Sequence, residues 1–418
     1  MVRAALNAQN VSLPPAILHQ KYEGMSASAH AFLRGTNALF WQDFATDWRL
    51  SLFGNADTAT WLQGDLHVES FGAFCDDRGE VVFDLNDFDE SVVADYQFDL
   101  WRLAVSLSLV ADEIGNLSRG QRDDVIDALT EGYLDNLIDS KKEGASFRMR
   151  RKEAKGELET FLKKVEKESQ RHKMLNKWAP MGADGHRAFD FESSKLGPVE
   201  DGDADALTTA ISQYRTTLRE SSAFGEGYFD VRGVARRLRA GLGSLGTPRF
   251  YVLIAGQEDG DWHDDRILDV KWQAEPVALT VLPQLHQEDF EQRFVHAAEA
   301  ATLAYRKLTR HTDDHTGWLE HADGCYSVRE RSPHKRTFPL RRLESKKAFE
   351  VYAAQLGKVL ATAHARGQEN LGGAVEKLVS PRRREFRRLV RKLASIYALR
   401  VYDDWRDFCE ALDESKAV

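Results

Sequence analysis

The chain has 418 residues, of which 42% are hydrophobic and 29% are charged, and its formal net charge is −9. Single cores stop growing at roughly 250–300 residues, so this length is sufficient for two lobes or domains. The composition is typical of a soluble globular protein, and the acidic balance argues against nucleic-acid binding. The sequence has no apolar run that could span a membrane and no export signal, which predicts a cytoplasmic protein. With only 3 cysteines, it predicts neither a disulfide framework nor a cysteine-based zinc site.

The first part of the chain changes between helical and strand-like patterns. Residues 15–50 have the apolar spacing of helices. The segments WLQGDLHV (61–68) and VVFDL (81–85) are typical of short strands and flank a turn at DDRGE (76–80). Residues 98–117 predict a long, largely buried helix. This part of the chain therefore predicts helices packed around a pair of strands.

The later part predicts a helical insert, a small sheet and further helices. A charged helical insert spans about 141–206; it presents either a solvated face or a contact surface for an acidic partner, and from 180 onward its Gly- and Asp-rich composition predicts a loop. Residues 226–285 include YFDVRGVARRL, PRFYVLIAG and RILDVKWQ, which predict a small antiparallel sheet. From residue 288 onward the patterns predict helices again, including a basic amphipathic one near the end.

The stretch GDLHVESFGAFCDDRGEVVFDLNDFDES (64–91) carries nine acidic side chains. Two short strands that frame a turn, with carboxylates at their ends, are a common way to build a metal site. Magnesium prefers hard oxygen ligands, which explains a site of carboxylates rather than of Cys or His. Asp65, in GDLH, and Asp87, in NDFD, stand at the two ends of this strand pair. The sequence therefore predicts a magnesium site in this stretch.

A glycine-rich segment, GLGSLG at 241–246, precedes a strand-like run and not a helix. A dinucleotide-binding loop opens a helix, whereas a glycine turn between strands is typical of the loop that covers nucleotide phosphates in protein kinases; a plain glycine hairpin is the alternative. Lys271, on the next strand but one, is expected to reach the α- and β-phosphates of ATP. The loop residues expected to bind the nucleotide are Gly241, Gly243, Ser244 and Gly246.

These motifs together resemble a known catalytic core. GDLHVES, FDLNDFDES and DYQFDLWRLAVSL are similar to the core of the aminoglycoside phosphotransferase and choline kinase branch of the protein-kinase-like superfamily. Nearly the whole chain resembles a bacterial family of unknown function that is placed in that superfamily. The resemblance implies an enzyme that uses ATP and magnesium to phosphorylate a hydroxyl-bearing acceptor, either a small molecule or a protein.

The resemblance also implies the roles of the reactive residues. Asp65 would act as the catalytic base, Asp87 as the main magnesium ligand and Lys271 as the clamp on the phosphates. Asp89 and Asp84 would be further metal ligands, or turn residues that bond their own backbone.

Two further residues would support this site, and two features depart from the superfamily's pattern. The resemblance implies that His67 braces the catalytic loop as a buried histidine and that Asp99 caps the loop backbone from a helix start. Ser70 stands where the superfamily has its second metal ligand, an Asn five residues after the base, and a hydroxyl is a weaker ligand than an amide carbonyl. No distinctive glutamate partner for Lys271 stands out among the candidates Glu275, Glu288 and Glu291.

The order of the motifs implies a circular permutation. In an ordinary kinase the glycine loop and lysine come first, whereas here Asp65 precedes Gly241. The segment LGKVLATAHA (356–365), which resembles the helix that leads into the catalytic loop, lies near the C-terminus. The expected fold is thus α+β, two-lobed, protein-kinase-like and circularly permuted. Its large, mainly helical lobe would be formed by 1–225 and 286–418, and its small antiparallel sheet lobe by 226–285.

Other functions remain open at this point. A pseudokinase would bind ATP without turnover, and a variant with a reversed nucleotide would transfer AMP. A metal-dependent phosphoesterase is a third class, because Gly-Asp-x-His also occurs in dinuclear metallophosphatases; the sequence has a second such motif, GDWH at 260–263, but no Gly-Asn-His element. A Ser-His-Asp hydrolase would need a Gly-x-Ser-x-Gly elbow, which the chain lacks.

Overall fold

The computed structural model describes residues 13–139, 144–168, 171–192, 194–238, 245–257, 262–309, 311–322 and 324–416, together with Leu6 and Asn10. Its helices are α1 (Pro15–Ser26), α2 (Ala29–Gly35), α3 (Asn37–Phe44), α4 (Gln97–Glu113), α5 (Arg119–Leu134), α6 (Glu157–Glu168), α7 (Arg171–Trp178), α8 (Asp201–Tyr214), α9 (Gln284–Arg293), α10 (Ala297–Leu308), α11 (Lys346–Gly367), α12 (Leu371–Val379) and α13 (Arg383–Lys416). Its strands are β1 (Ala59–Leu62), β2 (Phe71–Cys75), β3 (Val81–Leu85), β4 (Val92–Asp95), β5 (Leu196–Gly197), β6 (Val231–Arg237), β7 (Arg249–Ile254), β8 (Arg266–Trp272), β9 (Gly317–His321), β10 (Gly324–Glu330) and β11 (Arg336–Thr337). The α+β class predicted from the sequence is confirmed.

The largest hydrophobic core lies among the helices and includes most of α4 and the buried apolar residues of α5 and α11. Helix α4 is buried on nearly every side, as its long apolar run predicts. Helices α5 and α11 pack with their backbones in close contact, since a Cβ atom at Gly357 would lie 2.2 Å from the carbonyl oxygen of Leu129 and one at Gly132 would lie 2.3 Å from that of Ala354. Only glycine allows this approach.

The first and last helices pack against each other. The ring of Phe408 in α13 lies 5.4 Å from the rings of both Tyr22 and Phe32, measured between centroids. The indole N–H of Trp405 donates to the carbonyl oxygen of Ser26 at 3.1 Å, where α1 ends. Helix α13 therefore joins the two ends of the chain in one helical layer.

A six-stranded antiparallel sheet, in the order β5-β6-β7-β8-β10-β9, lies beside the helices. Because side chains alternate along a strand, Leu268 and Val270 of β8 face one side and belong to a core with α8. Asp269 and Lys271 face the other side. This alternation places polar side chains of β8 on the face that borders the site described below.

The structure differs from the sequence prediction in the extent of the sheet and in the start of a helix that packs on it. The sheet extends beyond 226–285, because β5 precedes this range and the hairpin β9–β10 adds two strands from a region that was expected to be helical. Residues 201–206, expected in a loop, begin helix α8, whose Leu207, Ile211 and Tyr214 pack on the sheet at helical spacing.

Two smaller sheets complete the structure: β2 lies between β3 and β11, and β1 pairs with β4. The pairing of β2 with β3 around the turn at 76–80 agrees with the sequence pattern. Among the described residues, no helix is long and apolar enough to cross a bilayer.

Candidate functional site

One cleft brings together four of the residues that the sequence motifs indicate, namely Asp65, Asp87, Asp89 and Lys271. It has a volume of about 120 Å³ and opens between the N-terminal helices, the turns after β1 and β3, and the end of β8. The residues that line it are Lys21, Arg34, Gly35, Asn37, Gln63, Asp65, Asp87, Asp89, Glu90, Thr247, Lys271, Trp272, Gln273 and Ala274.

The turn after β1 is fixed by contacts that leave little freedom. Gly64 has φ +84, and a Cβ atom there would lie 1.8 Å from the carbonyl oxygen of Glu90, so no other residue fits. The carboxylate of Asp99, in the first turn of α4, accepts hydrogen bonds from the backbone N–H groups of Gln63 at 2.7 Å and Gly64 at 3.0 Å. His364 of α11 lies against the same carboxylate, with 3.3 Å between Nε2 and Oδ2. Helices α4 and α11 thus hold the turn that carries Asp65.

Asp65 points from this turn into the cleft and receives a hydrogen bond from the buried Arg102 guanidinium of α4. Burial raises the pKa of the Asp65 carboxyl to about 6, although the charge of Arg102 acts to lower it. The pKa therefore lies near neutral pH. A carboxylate with such a pKa can both accept and release a proton under physiological conditions.

Asp87 and Asp89 follow β3 and face Lys271 across the cleft. The Lys271 ammonium donates to Asp89 and lies 3.7 Å from Oδ1 of Asp87. The Gln273 side chain donates to the second oxygen of Asp89 at 3.0 Å. Partial removal from water acts to raise the pKa of Asp87, but the surrounding cations, Lys271 first among them, outweigh this effect and hold that pKa below its usual value. Asp87 is therefore charged at neutral pH.

Gln63 couples the two acidic turns. Its amide nitrogen donates to the backbone carbonyl of Asp87 at 3.0 Å, and its amide oxygen accepts from the backbone N–H of Asp65 at 3.0 Å. One buried side chain thus sets the spacing between the two carboxylate-bearing turns.

The sheet contributes a row of charged groups next to the cleft. Arg249 of β7 binds both oxygens of the Asp269 carboxylate, through Nε at 2.6 Å and through Nη2. Arg329 of β10 donates to the carbonyl oxygen of Asn86, just before Asp87, at 3.0 Å. The first contact joins two strands of the sheet, and the second attaches the acidic turn to it. The position of Lys271 relative to the carboxylates is therefore fixed.

The other predicted site residues lie around this cleft. The Ser70 hydroxyl accepts from the backbone N–H of His67 at 3.1 Å and lies 3.4 Å from the carbonyl oxygen of Asp65; it is buried inside the turn and does not line the cleft. His67 accepts the backbone N–H of Glu69 at 3.1 Å, and burial lowers its pKa well below the usual value. Asp84 faces away from the cleft and binds Arg366 at 3.1 Å.

The glycine segment falls mostly outside the described residues. Gly241, Gly243 and Ser244 are not described, whereas Gly246 is, with φ +82 in the left-handed region. Thr247, directly after the segment, lines the cleft. None of the candidate glutamates Glu275, Glu288 and Glu291 lines the cleft or forms an ion pair with Lys271 within the described part of the chain; Asp89 takes that place.

The cleft residues that sequence reasoning missed include Lys21, Arg34, Asn37 and Glu90. Glu90 follows NDFD directly, and this position next to the motif was the available signal. The other three come from the helices α1, α2 and α3, where a helical pattern shows which residues are apolar but not which polar residue enters a distant cleft.

Glu90 lends itself to a pH experiment. Burial and the neighbouring Asp65 raise the pKa of Glu90 from 4.5 to about 8, and the backbone N–H of Val277 donates to its carboxyl at 2.7 Å. Because the pKa of Glu90 is raised in the folded state, its contribution to the free energy of unfolding is fully present below the pKa of the unfolded state. This contribution is lost as the pH rises through the pKa of the folded state. We expect Glu90→Gln to remove this loss, because the amide stays neutral and still accepts from Val277.

The measurement is urea unfolding at several pH values between 5 and 8.5. The free energy of unfolding of Glu90→Gln relative to the native protein should increase steadily over this range. The exposed Glu159 of α6 provides a control, since Glu159→Gln should leave the pH dependence unchanged. Parallel pH profiles for Glu90→Gln and the native protein would contradict the buried, neutral carboxyl.

Comparison with known proteins assigns the chain to a family. Residues 13–411 match DUF2252, described as an uncharacterized protein conserved in bacteria. Neither a curated protein nor a solved structure matches the chain. Because the match extends from α1 to the last helix and includes every cleft residue, the chain belongs to the DUF2252 family.

Proposed function

We propose that the protein is an ATP- and magnesium-dependent phosphotransferase with a circularly permuted, protein-kinase-like fold, acting on a hydroxyl-bearing acceptor. One observation carries the proposal: Asp65, Asp87, Asp89 and Lys271 line the same cleft, although Asp89 and Lys271 are 182 positions apart in the chain. Protein kinases combine the same chemical groups, namely a base, a metal-binding carboxylate and a strand lysine.

The residues of the cleft fit a magnesium ion. Asp87 is half-exposed, with 50% of its side chain accessible, and within the described residues its carboxylate accepts no hydrogen bond. Oxygen atoms of this kind are the ligands that magnesium prefers. Asp87 and Asp89 would hold the metal, which when bound neutralises charge on the phosphates of ATP. Ser70 is a poor candidate for the second ligand, since its hydroxyl is used inside the turn.

Lys271 and the segment before it fit the phosphate side of a kinase site. Residues 241–246 lie between β6 and β7, and Lys271 lies on β8, the next strand in both the chain and the sheet. In protein kinases a glycine-rich loop covers the phosphates and a lysine on the third strand contacts them. ATP phosphates would compete with Asp89 for the Lys271 ammonium, which frees the Asp89 carboxylate for a cation.

Asp65 fits the role of the base. Its carboxylate would accept the proton of the acceptor hydroxyl while the oxygen of that hydroxyl bonds to the γ-phosphorus and the bond from phosphorus to the bridging oxygen of ADP breaks. The products are a phosphate monoester, ADP and a proton held at Asp65. A pKa of about 6 suits a group that must take up this proton and release it again.

Two contacts support the permuted order of the motifs. The end of α11 lies beside the strand that enters the Asp65 turn, and the carbonyl oxygen of His364 accepts from the hydroxyl of Thr60 at 2.9 Å. A helix that leads into the catalytic loop of an unpermuted chain would need this position. The packing of α13 on α1 and α2 then joins the remaining ends.

Binding of ATP tests the proposal. We expect Mg·ATP to bind in isothermal calorimetry, and both Lys271→Met and Asp87→Asn to weaken binding by about 10–100-fold, or about 1.4–2.7 kcal/mol. Without magnesium, the native protein should bind ATP as weakly as Asp87→Asn does. Lys347→Met is a matched control, since Lys347 is exposed on α11. Binding that is absent, or that neither site variant changes, would contradict the proposal.

The same samples identify the reaction. Phosphate transfer leaves ADP, AMP transfer leaves pyrophosphate, and a nucleotide-binding protein without turnover leaves ATP intact. The last of these is the second candidate function, favoured by the ion pair between Asp65 and the buried Arg102 and by the internal use of the Ser70 hydroxyl.

A further inference from the structure

Cationic side chains from the N-terminal helices line the cleft on the side of Asp65. Lys21 of α1 is 8% exposed, and its ammonium donates to the side-chain oxygen of Asn10 at 2.7 Å. It forms no ion pair with any other residue that the structure describes. Arg34 of α2 lies in the same cleft and forms an ion pair with Glu69 at 2.6 Å.

Lys21 is incompletely satisfied by the residues that the structure describes. An ammonium group has three donor hydrogens, and among these residues its one acceptor is the neutral amide of Asn10. A buried charge is unfavourable unless it is paired and hydrogen-bonded. Burial lowers the pKa of Lys21, while Asp65 and Glu90 act to raise it. An anion entering the cleft would supply both the missing acceptors and the missing charge.

Two buried polar atoms nearby also lack hydrogen-bond partners within the described part of the chain. Asn37 is 6% exposed; its amide nitrogen donates to the carbonyl oxygen of Gly64 at 3.1 Å, while its amide oxygen has no hydrogen-bond partner. The Nε atom of Arg34 is likewise buried without a partner. Buried polar atoms in native proteins are nearly always hydrogen-bonded. An unpaired acceptor and an unpaired donor on residues that line one cleft therefore point to a ligand that carries both kinds of group.

We propose that the acceptor substrate carries an anionic group, a phosphate or a carboxylate, bound by Lys21 and Arg34. Its reacting hydroxyl group would donate its one hydrogen to Asp65, and the amide oxygen of Asn37 would accept from a second donor group of the substrate. The substrate is thus a hydroxylated phosphate ester or a hydroxy acid. The assignment of the anion as part of the acceptor rests on the proposed phosphotransferase function, whereas the anion site rests on Lys21, Arg34 and Asn37 alone.

Calorimetric titration with simple anions tests the site. The probes are inorganic phosphate and acetate, each added at constant ionic strength to the native protein, Lys21→Met and Lys271→Met. We expect at least one anion to bind the native protein, and Lys21→Met to weaken its binding by about 10-fold, or about 1.4 kcal/mol. The loss in Lys271→Met should be smaller. The anion that binds more tightly distinguishes a phosphate ester from a hydroxy acid.

Two results would overturn the inference: no binding of either anion to the native protein, or a loss in Lys271→Met that equals or exceeds the loss in Lys21→Met. The second result would place the anion on the nucleotide side of the cleft. Thermal unfolding without anion shows whether Lys21→Met is folded, and Arg34→Gln, which should also weaken binding, is the second variant if it is not.

A failure of this inference is distinguishable from a failure of the proposed function. Lys21→Met should bind Mg·ATP with native affinity, and Lys271→Met should not. If Mg·ATP does not bind the native protein, the phosphotransferase proposal fails, while the anion titrations still report on Lys21.

Discussion

Asp65→Asn is expected to turn over Mg·ATP about 10²–10⁴-fold more slowly than the native protein, the usual contribution of a positioned general base. The amide cannot accept the proton of the acceptor hydroxyl, while the groups that would bind nucleotide, Lys271 and Asp87, are unchanged. Turnover is measured as ADP release with water as the acceptor, and binding of Mg·ATP is measured separately. We expect binding to stay within about a factor of three of the native value, which is less than 1 kcal/mol.

The control for this experiment must account for Arg102. Its guanidinium is 1% exposed, and the substitution removes the charge that faces it, which is unfavourable for a buried ion. Circular dichroism and thermal unfolding therefore accompany the kinetics. Asp77→Asn is the matched variant, because Asp77 belongs to the same acidic stretch but lies in the turn between β2 and β3, outside the cleft. A folded Asp65→Asn variant with native turnover would exclude Asp65 as the base.

Local patterns were sufficient to predict some parts of this molecule. Strands β7 and β8 are rich in β-branched and aromatic residues, RFYVLI and RILDVKW, and such residues are enriched in strands. Asp65 and Asp87 belong to short motifs whose residues are adjacent in sequence. The contact between Asp99 and the Asp65 turn was expected from the family resemblance and not from a local pattern.

Other parts depend on tertiary contacts that no local pattern contains. The hairpin β9–β10 has few apolar residues, since only one face of each strand is buried, and its pairing with β8 creates the strand. Helix α8 begins with DGDADA, a loop-like composition, and is stabilised by later residues that pack on the sheet. The pairing of Lys271 with Asp89 and not with a glutamate follows from the approach of two turns distant in the chain. Lys21 and Asn37 enter the cleft for the same reason.

Asp269→Ala is expected to lower the free energy of unfolding by about 3–5 kcal/mol, the loss typical when one partner of a buried ion pair is removed. Asp269 is 4% exposed in the middle of β8, and the substitution leaves the guanidinium of Arg249 without its bidentate partner. The pair also lies next to the site, so that loss of order in β8 would displace Lys271. Urea unfolding followed by circular dichroism and tryptophan fluorescence gives the free energy.

The double variant Arg249→Met with Asp269→Leu separates charge from packing. Replacement of a whole buried ion pair by apolar residues of similar size is often neutral or stabilising, so the double variant should recover most of the stability that Asp269→Ala loses.

The dependence of this stability on pH has a definite sign. Burial acts to raise the pKa of Asp269, but Arg249 outweighs it and holds the pKa far below the usual value.

A carboxyl with a depressed pKa stabilises the fold above its unfolded pKa of about 3.9 and loses that contribution as the pH falls toward the folded pKa. The native protein should therefore lose more stability than the double variant as the pH is lowered below about 4. If Asp269→Ala unfolds at the same urea concentration as the native protein, the ion pair does not stabilise β8. The position of Lys271 next to the acidic turns must then depend on the apolar side of the sheet.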